Sequence, residues 1–238
     1  MTDKIRAFIP VILSFLVLLP AGQGQAATCA SQRHPDQPAV VYIFAGKGAD
    51  VLRAPYTDIA AAWSAQGIRP VLVDVAQPED LSTYLDLIRD FIDRDLAGEE
   101  QQIHFYGFSL GALAAISLSA EFQPLTTVAA SPAVFFRENY DQTMAMTGWQ
   151  GNIYKMWYPY GRDEVPVLGD ALTAIRDGAP RTRIITFAGE LDDFRVIHNS
   201  EQIAAAFPQP GFWMVPGTPH NQSAPAYLDA VNRAISCL

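Results

Sequence analysis

The chain has 238 residues, half of them hydrophobic and 17% charged, with 25 acidic side chains against 16 basic ones and a formal net charge of -9. That length and apolar content suit one sizeable core, so a single domain is the default. The acidic balance, offset by no Lys/Arg cluster, repels phosphate backbones and anionic lipid heads, which argues against nucleic acid as a partner.

The first residues read as a targeting segment. Lys4 and Arg6 precede a continuous apolar run from Ala7 to Leu19, broken only by Pro10 and Ser14. Pro20 and a small-residue stretch through Ala27 then suit a signal peptidase. The run is short for a bilayer span, so residues 1–27 are expected to be a cleaved secretory signal, with an uncleaved tether as the alternative. Residues 28–238 are then the mature domain, periplasmic or secreted, with no stable membrane span after cleavage. Ala27-Thr28 before Cys29 makes a poor lipidation box. The two cysteines, Cys29 and Cys237, lie near the two ends of that domain, and an oxidising compartment permits a bridge between them; free thiols are the alternative. Such a bridge has a ceiling of roughly 5 kcal/mol in the loop-entropy model. Neither cysteine has a neighbouring His to stabilise a thiolate, so neither reads as catalytic.

After the leader, short apolar runs alternate with helical patterns, as in a parallel sheet covered on both faces. Ala39 to Phe44 is the first expected strand, and it ends in Ala45-Gly46-Lys47-Gly48. A helical stretch runs to Gln66 and stops at Gly67. Pro70 to Val75 is the second strand. Asp80 to Leu96 places Leu81, Leu85, Ile88, Ile92 and Leu96 on one helical face. Gln102 to Tyr106 is the third strand, and the alanine-rich Ala112 to Glu121 is the helix behind it. Leu125 to Ala130, Arg183 to Ala188 and Gly211 to Val215 complete six strands. A short helix near Ser200 to Phe207 precedes the sixth, and Ala224 to Cys237 closes the chain. The interval from Ser131 to Pro180 is too long for one crossover helix and is rich in aromatics, among them Phe135, Phe136, Trp149, Tyr154, Trp157, Tyr158 and Tyr160. It reads either as a small cap insertion or as a longer helical excursion that packs those rings.

Between the third strand and its helix stands Gly107-Phe108-Ser109-Leu110-Gly111. A serine that projects its Oγ from the tip of a strand-to-helix turn needs strained backbone angles and very close neighbouring chain. Glycines two residues to either side remove the Cβ atoms that would clash. The helix that follows aims its N-terminal N–H groups at the reacting centre. By itself the pattern is common; between a strand and a helix it is specific.

From about Ala39 to the end, the chain resembles the α/β-hydrolase superfamily, and within it the compact secreted serine hydrolases and esterases. The resemblance implies about six mostly parallel strands with helices on both faces. It also implies a nucleophile, an acid and a histidine in that chain order, the acid after a later strand and the histidine after the last. His220, in Val215-Pro216-Gly217-Thr218-Pro219-His220, occupies the histidine's place. His34 lies in the leader, His104 sits inside a strand, and His198 follows the acidic residues too closely. For the acid, the family's Gly-x-x-Asp selects Asp192 in Gly189-Glu190-Leu191-Asp192-Asp193; Asp193 is the alternative, and Glu190 a distant third. The resemblance further assigns an oxyanion hole to the backbone N–H groups of Leu110 and Lys47, although Ala45 stands where the family often carries histidine.

The expected chemistry is serine hydrolysis of a carboxylic ester or thioester by Ser109, His220 and Asp192 through an acyl-enzyme, with a small-molecule substrate and a monomeric enzyme. A peptidase or amidase of the same fold is the alternative, and a non-catalytic binding protein on this scaffold a remoter one. The scattered histidines and terminal cysteines give no metal-ligand spacing, and no phosphate-binding glycine pattern is present, so no metal or cofactor is expected.

Overall fold

The structure, a computed structural model, describes residues 37–97, 101–133, 135–157, 160–207 and 211–238. The expected signal segment, Cys29, His34 and Tyr158 lie outside them, as does the side chain of Trp157.

Why the first strand lies inside the sheet and not at its edge follows from its composition. β1 (Ala39–Phe44) is apolar at every position and buried throughout. Ala39, Val41 and Ile43 enter one core, while Val40, Tyr42 and Phe44 enter the other. A strand buried on both faces is what a parallel sheet between two helical layers demands. β2 (Arg69–Leu72), β3 (Gln102–Phe108), β4 (Thr126–Ala130), β5 (Arg183–Gly189) and β6 (Gly211–Val215) join it in the order β2-β1-β3-β4-β5-β6, with every neighbouring pair parallel.

α1 (Tyr56–Ser64) and α8 (Pro225–Ile235) cover one face of the sheet, burying Tyr56, Ile59, Trp63, Tyr227 and Val231. α2 (Leu81–Leu96), α3 (Leu110–Phe122), α6 (Leu168–Gly178) and α7 (Phe194–Ala206) cover the other. α2 is amphipathic: Leu81, Tyr84, Ile88 and Ile92 are buried, and Asp80 caps its start by accepting from Ser82 N and Thr83 N. α3 is buried on nearly every side, which its small alanine side chains permit.

Each sequence-derived strand exists, with shifted ends. β2 stops at Leu72 instead of Val75, because its pairing with β1 ends at the Ile43–Leu72 register. β3 continues to Phe108, carried by its pairing with Ala130. α7 begins at Phe194 rather than near Ser200, because Asp193 caps it by accepting from Arg195 N.

The interval between β4 and β5 holds α4 (Arg137–Ala145), α5 (Gly148–Trp157) and α6. α6 is the crossover helix, with Leu172 and Ile175 in the core beside α3. The aromatics divide in the same way. Phe135, Phe136 and Tyr160 are fully buried, whereas Trp149 on α5 is 75% exposed.

Candidate active site

Six parallel strands deliver all their following loops to one edge of the sheet, and β1 and β3 are neighbours although α1, β2 and α2 intervene in sequence. Chain order reverses between them, and the crevice at such a switch point is where open α/β sheets bind ligands. A cleft of about 870 Å³ opens at that edge, lined among others by Lys47, Phe108, Ser109, Trp149, Tyr154, Leu191, Asp192 and His220.

Ser109 sits between β3 and α3 with φ 54° and ψ -115°, a conformation that non-glycine residues rarely adopt and that costs on the order of 1–3 kcal/mol. The turn is held from both directions. Ser109 N donates to Ala130 O at 3.0 Å, and Ser109 O accepts from Ala112 N and Leu113 N at 3.0 and 3.1 Å. A Cβ on Gly107 would lie 2.2 Å from Gly111 O, and one on Gly111 would lie 2.2 Å from Phe44 O. Both glycines are therefore steric requirements, which is the reason given above for their spacing.

The loops after β5 and β6 are laced together. Glu190 N donates to Val215 O at 2.9 Å, Leu191 N donates to Thr218 O at 3.0 Å, and Glu190 Oε2 accepts from Gly217 N at 2.8 Å. Glu190, the third acid considered from sequence, thus holds the histidine loop. A Cβ on Gly189 would lie 2.0 Å from Thr218 O, so the two loops close only over a glycine.

That lacing sets His220 beside Asp192. His220 Nδ1 lies 2.9 Å from Asp192 Oδ1 and 3.0 Å from Oδ2. An ionised carboxylate only accepts, so Nδ1 carries the hydrogen and Nε2 is left as the basic nitrogen. The imidazole rests on the Phe108 ring, 4.8 Å between centroids, directly before Ser109. The Asp192 side chain is fully buried and also accepts from Asp193 N at 2.8 Å and from Ser131 Oγ at 2.8 Å.

Asp193 is occupied elsewhere. Its carboxylate accepts from Arg195 Nε at 2.8 Å and from Tyr154 Oη at 3.2 Å. Arg195, only 1% exposed, also donates to Thr143 Oγ1 at 2.7 Å, and its guanidinium lies 5.0 Å from the Tyr154 ring centroid. Burial works against the Asp193 charge, but the hydrogen bonds from Arg195 outweigh it and hold the carboxyl below its ordinary value.

Of the other histidines, His104 is buried in β3 against Trp63, and His198 lies on the exposed side of α7 near Gln202 and Glu201. Cys237 is buried at the end of the chain, where its carbonyl accepts from Arg183.

The loop after β1 is clamped by a residue that sequence reading passed over. Gln77 Oε1 accepts from Gly48 N at 2.8 Å, and Gln77 Nε2 donates to Gly46 O at 3.1 Å, so one amide straddles Lys47. Gly46 N donates to Tyr56 Oη at 2.7 Å. Neither the Lys47 N–H nor the Leu110 N–H donates a hydrogen bond to another described residue. The Lys47 ammonium stands 5.6 Å from the Tyr160 ring centroid, and burial lowers its pKa. Gln77, Tyr56, Ser131, Tyr227 and Arg195 form no local pattern that a sequence could show.

A six-stranded parallel sheet of this order, with helices on both faces and a serine on the sharp turn after its third strand, defines the α/β-hydrolase fold, and this chain has it. No protein-family model and no curated sequence matches the chain. Solved structures do. The chain is similar to Est1E from Butyrivibrio proteoclasticus, with a TM-score of 0.61 and 14% identity over 86% of this chain and 88% of that one. It is similar to a Pyrococcus furiosus esterase, with a TM-score of 0.58 and 18% identity over 85% and 83%. Fluorophosphonate-binding serine hydrolase F of Staphylococcus aureus aligns with a TM-score of 0.57 and 13% identity over 88% and 87%.

Proposed function

We propose that this chain is an exported serine hydrolase that cleaves a carboxylic ester or thioester, with Ser109 as nucleophile, His220 as base and Asp192 as the acid that orients it. The observation that carries the reading is the buried Asp192 on His220 Nδ1, in the cleft that also holds Ser109 on its strained turn. The neighbours named as esterases and serine hydrolases support it.

In this reading the Ser109 hydroxyl attacks the ester carbonyl while His220 Nε2 takes its proton, and the same imidazole returns that proton to the departing alcohol or thiol. Asp192 holds the ring in the tautomer this requires and stabilises the imidazolium. Lys47 N–H and Leu110 N–H receive the oxyanion, each donor contributing roughly 3 kcal/mol to the transition state. Water then attacks the acyl-enzyme with His220 as base. The substrate is a small molecule whose apolar part lies along Phe108, Trp149 and Leu191.

Reaction with a fluorophosphonate, followed by mapping of the adduct, tests the assignment. Modification of Ser109 in the wild type and none in Ser109→Ala is the expected result. A folded protein whose Ser109 stays unmodified would overturn it. Comparison of p-nitrophenyl esters with aminoacyl anilides separates ester from amide cleavage.

Export is part of the same proposal, with cleavage after Ala27, a monomer in the periplasm or medium, and a Cys29–Cys237 bridge. N-terminal sequencing of protein recovered from the producing cell's exterior, beside its mass with and without reductant, tests these points.

A further inference from the structure

Behind Asp192, away from the cleft, two hydroxyls lie in series. Ser131, the residue after β4, places its Oγ 2.8 Å from Asp192 Oδ2. The same Oγ is hydrogen-bonded to Tyr227 Oη from α8, and Tyr227 Oη accepts from Gly189 N at 3.0 Å. Neither Ser131 nor Tyr227 lines the cleft. Both are fully buried.

We propose that Ser131 and Tyr227 are positioning residues for the proposed acid: a one-way relay from Gly189 N–H through Tyr227 Oη and Ser131 Oγ to Asp192 Oδ2, which fixes the carboxylate plane and with it the His220 ring. The proposal rests on the reading of Ser109, His220 and Asp192 given above.

The direction of each bond follows from the chemistry of the groups. A carboxylate has no hydrogen to give, so Ser131 spends its single proton on Asp192. Its contact with Tyr227 is then one in which the phenol donates. The phenol's lone pair is met by Gly189 N–H, which is a donor only. Every hydroxyl in the chain gives one hydrogen and receives one. Burial, with the nearby Asp192 charge adding to it, pushes the Tyr227 phenol well above its ordinary pKa, so it remains a donor.

Two features show why the carboxylate needs this hold. His220 Nδ1 is almost equidistant from the two carboxylate oxygens, so rotation about the Asp192 side chain would move the ring. Asp193 N secures only Oδ1; Ser131 secures the other oxygen. Ser131 also has φ 42°, where a non-glycine residue is disfavoured and glycine sits freely. Backbone strain retained at a buried position is a pointer to function, and the hydroxyl is what the strain keeps in place.

The test uses full-length Ser131→Gly, Tyr227→Phe and the double variant. Three quantities are read: the second-order rate of fluorophosphonate labelling at Ser109, the melting temperature, and the proton resonance of His220 Nδ1–H. Glycine relieves the backbone at residue 131, so Ser131→Gly is expected to fold near wild-type stability. It should label about tenfold more slowly, as expected for loss of one hydrogen bond to a charged group. Tyr227→Phe acts chiefly through Ser131, with a smaller direct effect of the phenol on the Asp192 charge, so it should slow labelling less, and the double variant should fall well short of the product of the two single effects. The His220 proton should shift in all three. Folded single variants that label at the wild-type rate with an unmoved resonance would overturn the relay, as would a double variant in which the two effects multiply. A wild type that never labels at Ser109 sinks the proposed hydrolase instead. The relay is then still decided by whether Tyr227→Phe moves the His220 proton.

Discussion

Two neighbouring carboxylates, Asp192 and Asp193, part company within one peptide unit. Asp192 turns to His220 and Ser131, while Asp193 turns to Arg195 and caps α7. The two therefore differ in what their loss should do. Asp192→Asn is expected to keep the fold and to slow Ser109 labelling roughly 10⁴-fold, since an amide presents the imidazole with the wrong partner. Asp193→Asn removes one member of a buried ion pair and should cost about 3 kcal/mol of stability in a denaturant melt. Its labelling rate under native conditions should stay close to wild type. A reversal of these two profiles would exchange their roles.

At the scale of elements, α3 can approach β1 only because Gly111 has no side chain, the space being closed by Phe44 O. Gly111→Ala is expected to unfold the chain or cost at least about 3 kcal/mol, seen as a collapse of the melting temperature. The contact between α7 and the α4–α5 pair is electrostatic instead, with Arg195 joining Asp193 of the acid loop to Thr143 of α4 beside Tyr154 of α5. The folded-state pKa of Asp193 lies below its unfolded value, so the ionised form favours folding. That contribution is present above the unfolded value of about 3.9 and is lost as pH falls through the lower folded one. Urea melts of wild type and Asp193→Asn should therefore differ most near about pH 6 and converge below about pH 4. A gap that widens in acid would contradict the assignment.

On the scale of the whole molecule, all parallel strands send their C-terminal loops to one edge, so residues from Lys47 to His220 meet there. The chain's end lies elsewhere: Cys237 is buried among the residues that α1 and α8 contribute to their face of the sheet. The proposed bridge to Cys29 thus constrains the unfolded chain without touching the cleft. Cys29→Ser, or reduction, is expected to lower stability by at most roughly 5 kcal/mol, with Ser109 labelling unchanged at temperatures where the protein stays folded. No helix among the described residues is long and apolar enough to cross a membrane.

What the sequence determined by itself was whatever local chemistry encodes. Six apolar runs became six strands, most plainly in β1, β3, β4 and β5, where side chains buried on both faces leave a continuous mark, and the serine turn showed itself because steric demand writes glycine at fixed offsets. The placing of His220 after the last strand needed only chain order. The resemblance favoured Asp192 and left Asp193 open; tertiary structure sets Asp192 beside that histidine and turns Asp193 to Arg195, since the two differ by one residue in sequence and by the direction of a carboxylate in space. Tertiary structure alone brought in Gln77, Ser131, Tyr227 and Arg195, whose partners lie far away in the chain. It also divided the aromatics of the long interval between core and cleft, because a ring's composition is the same in either place and only its neighbours differ.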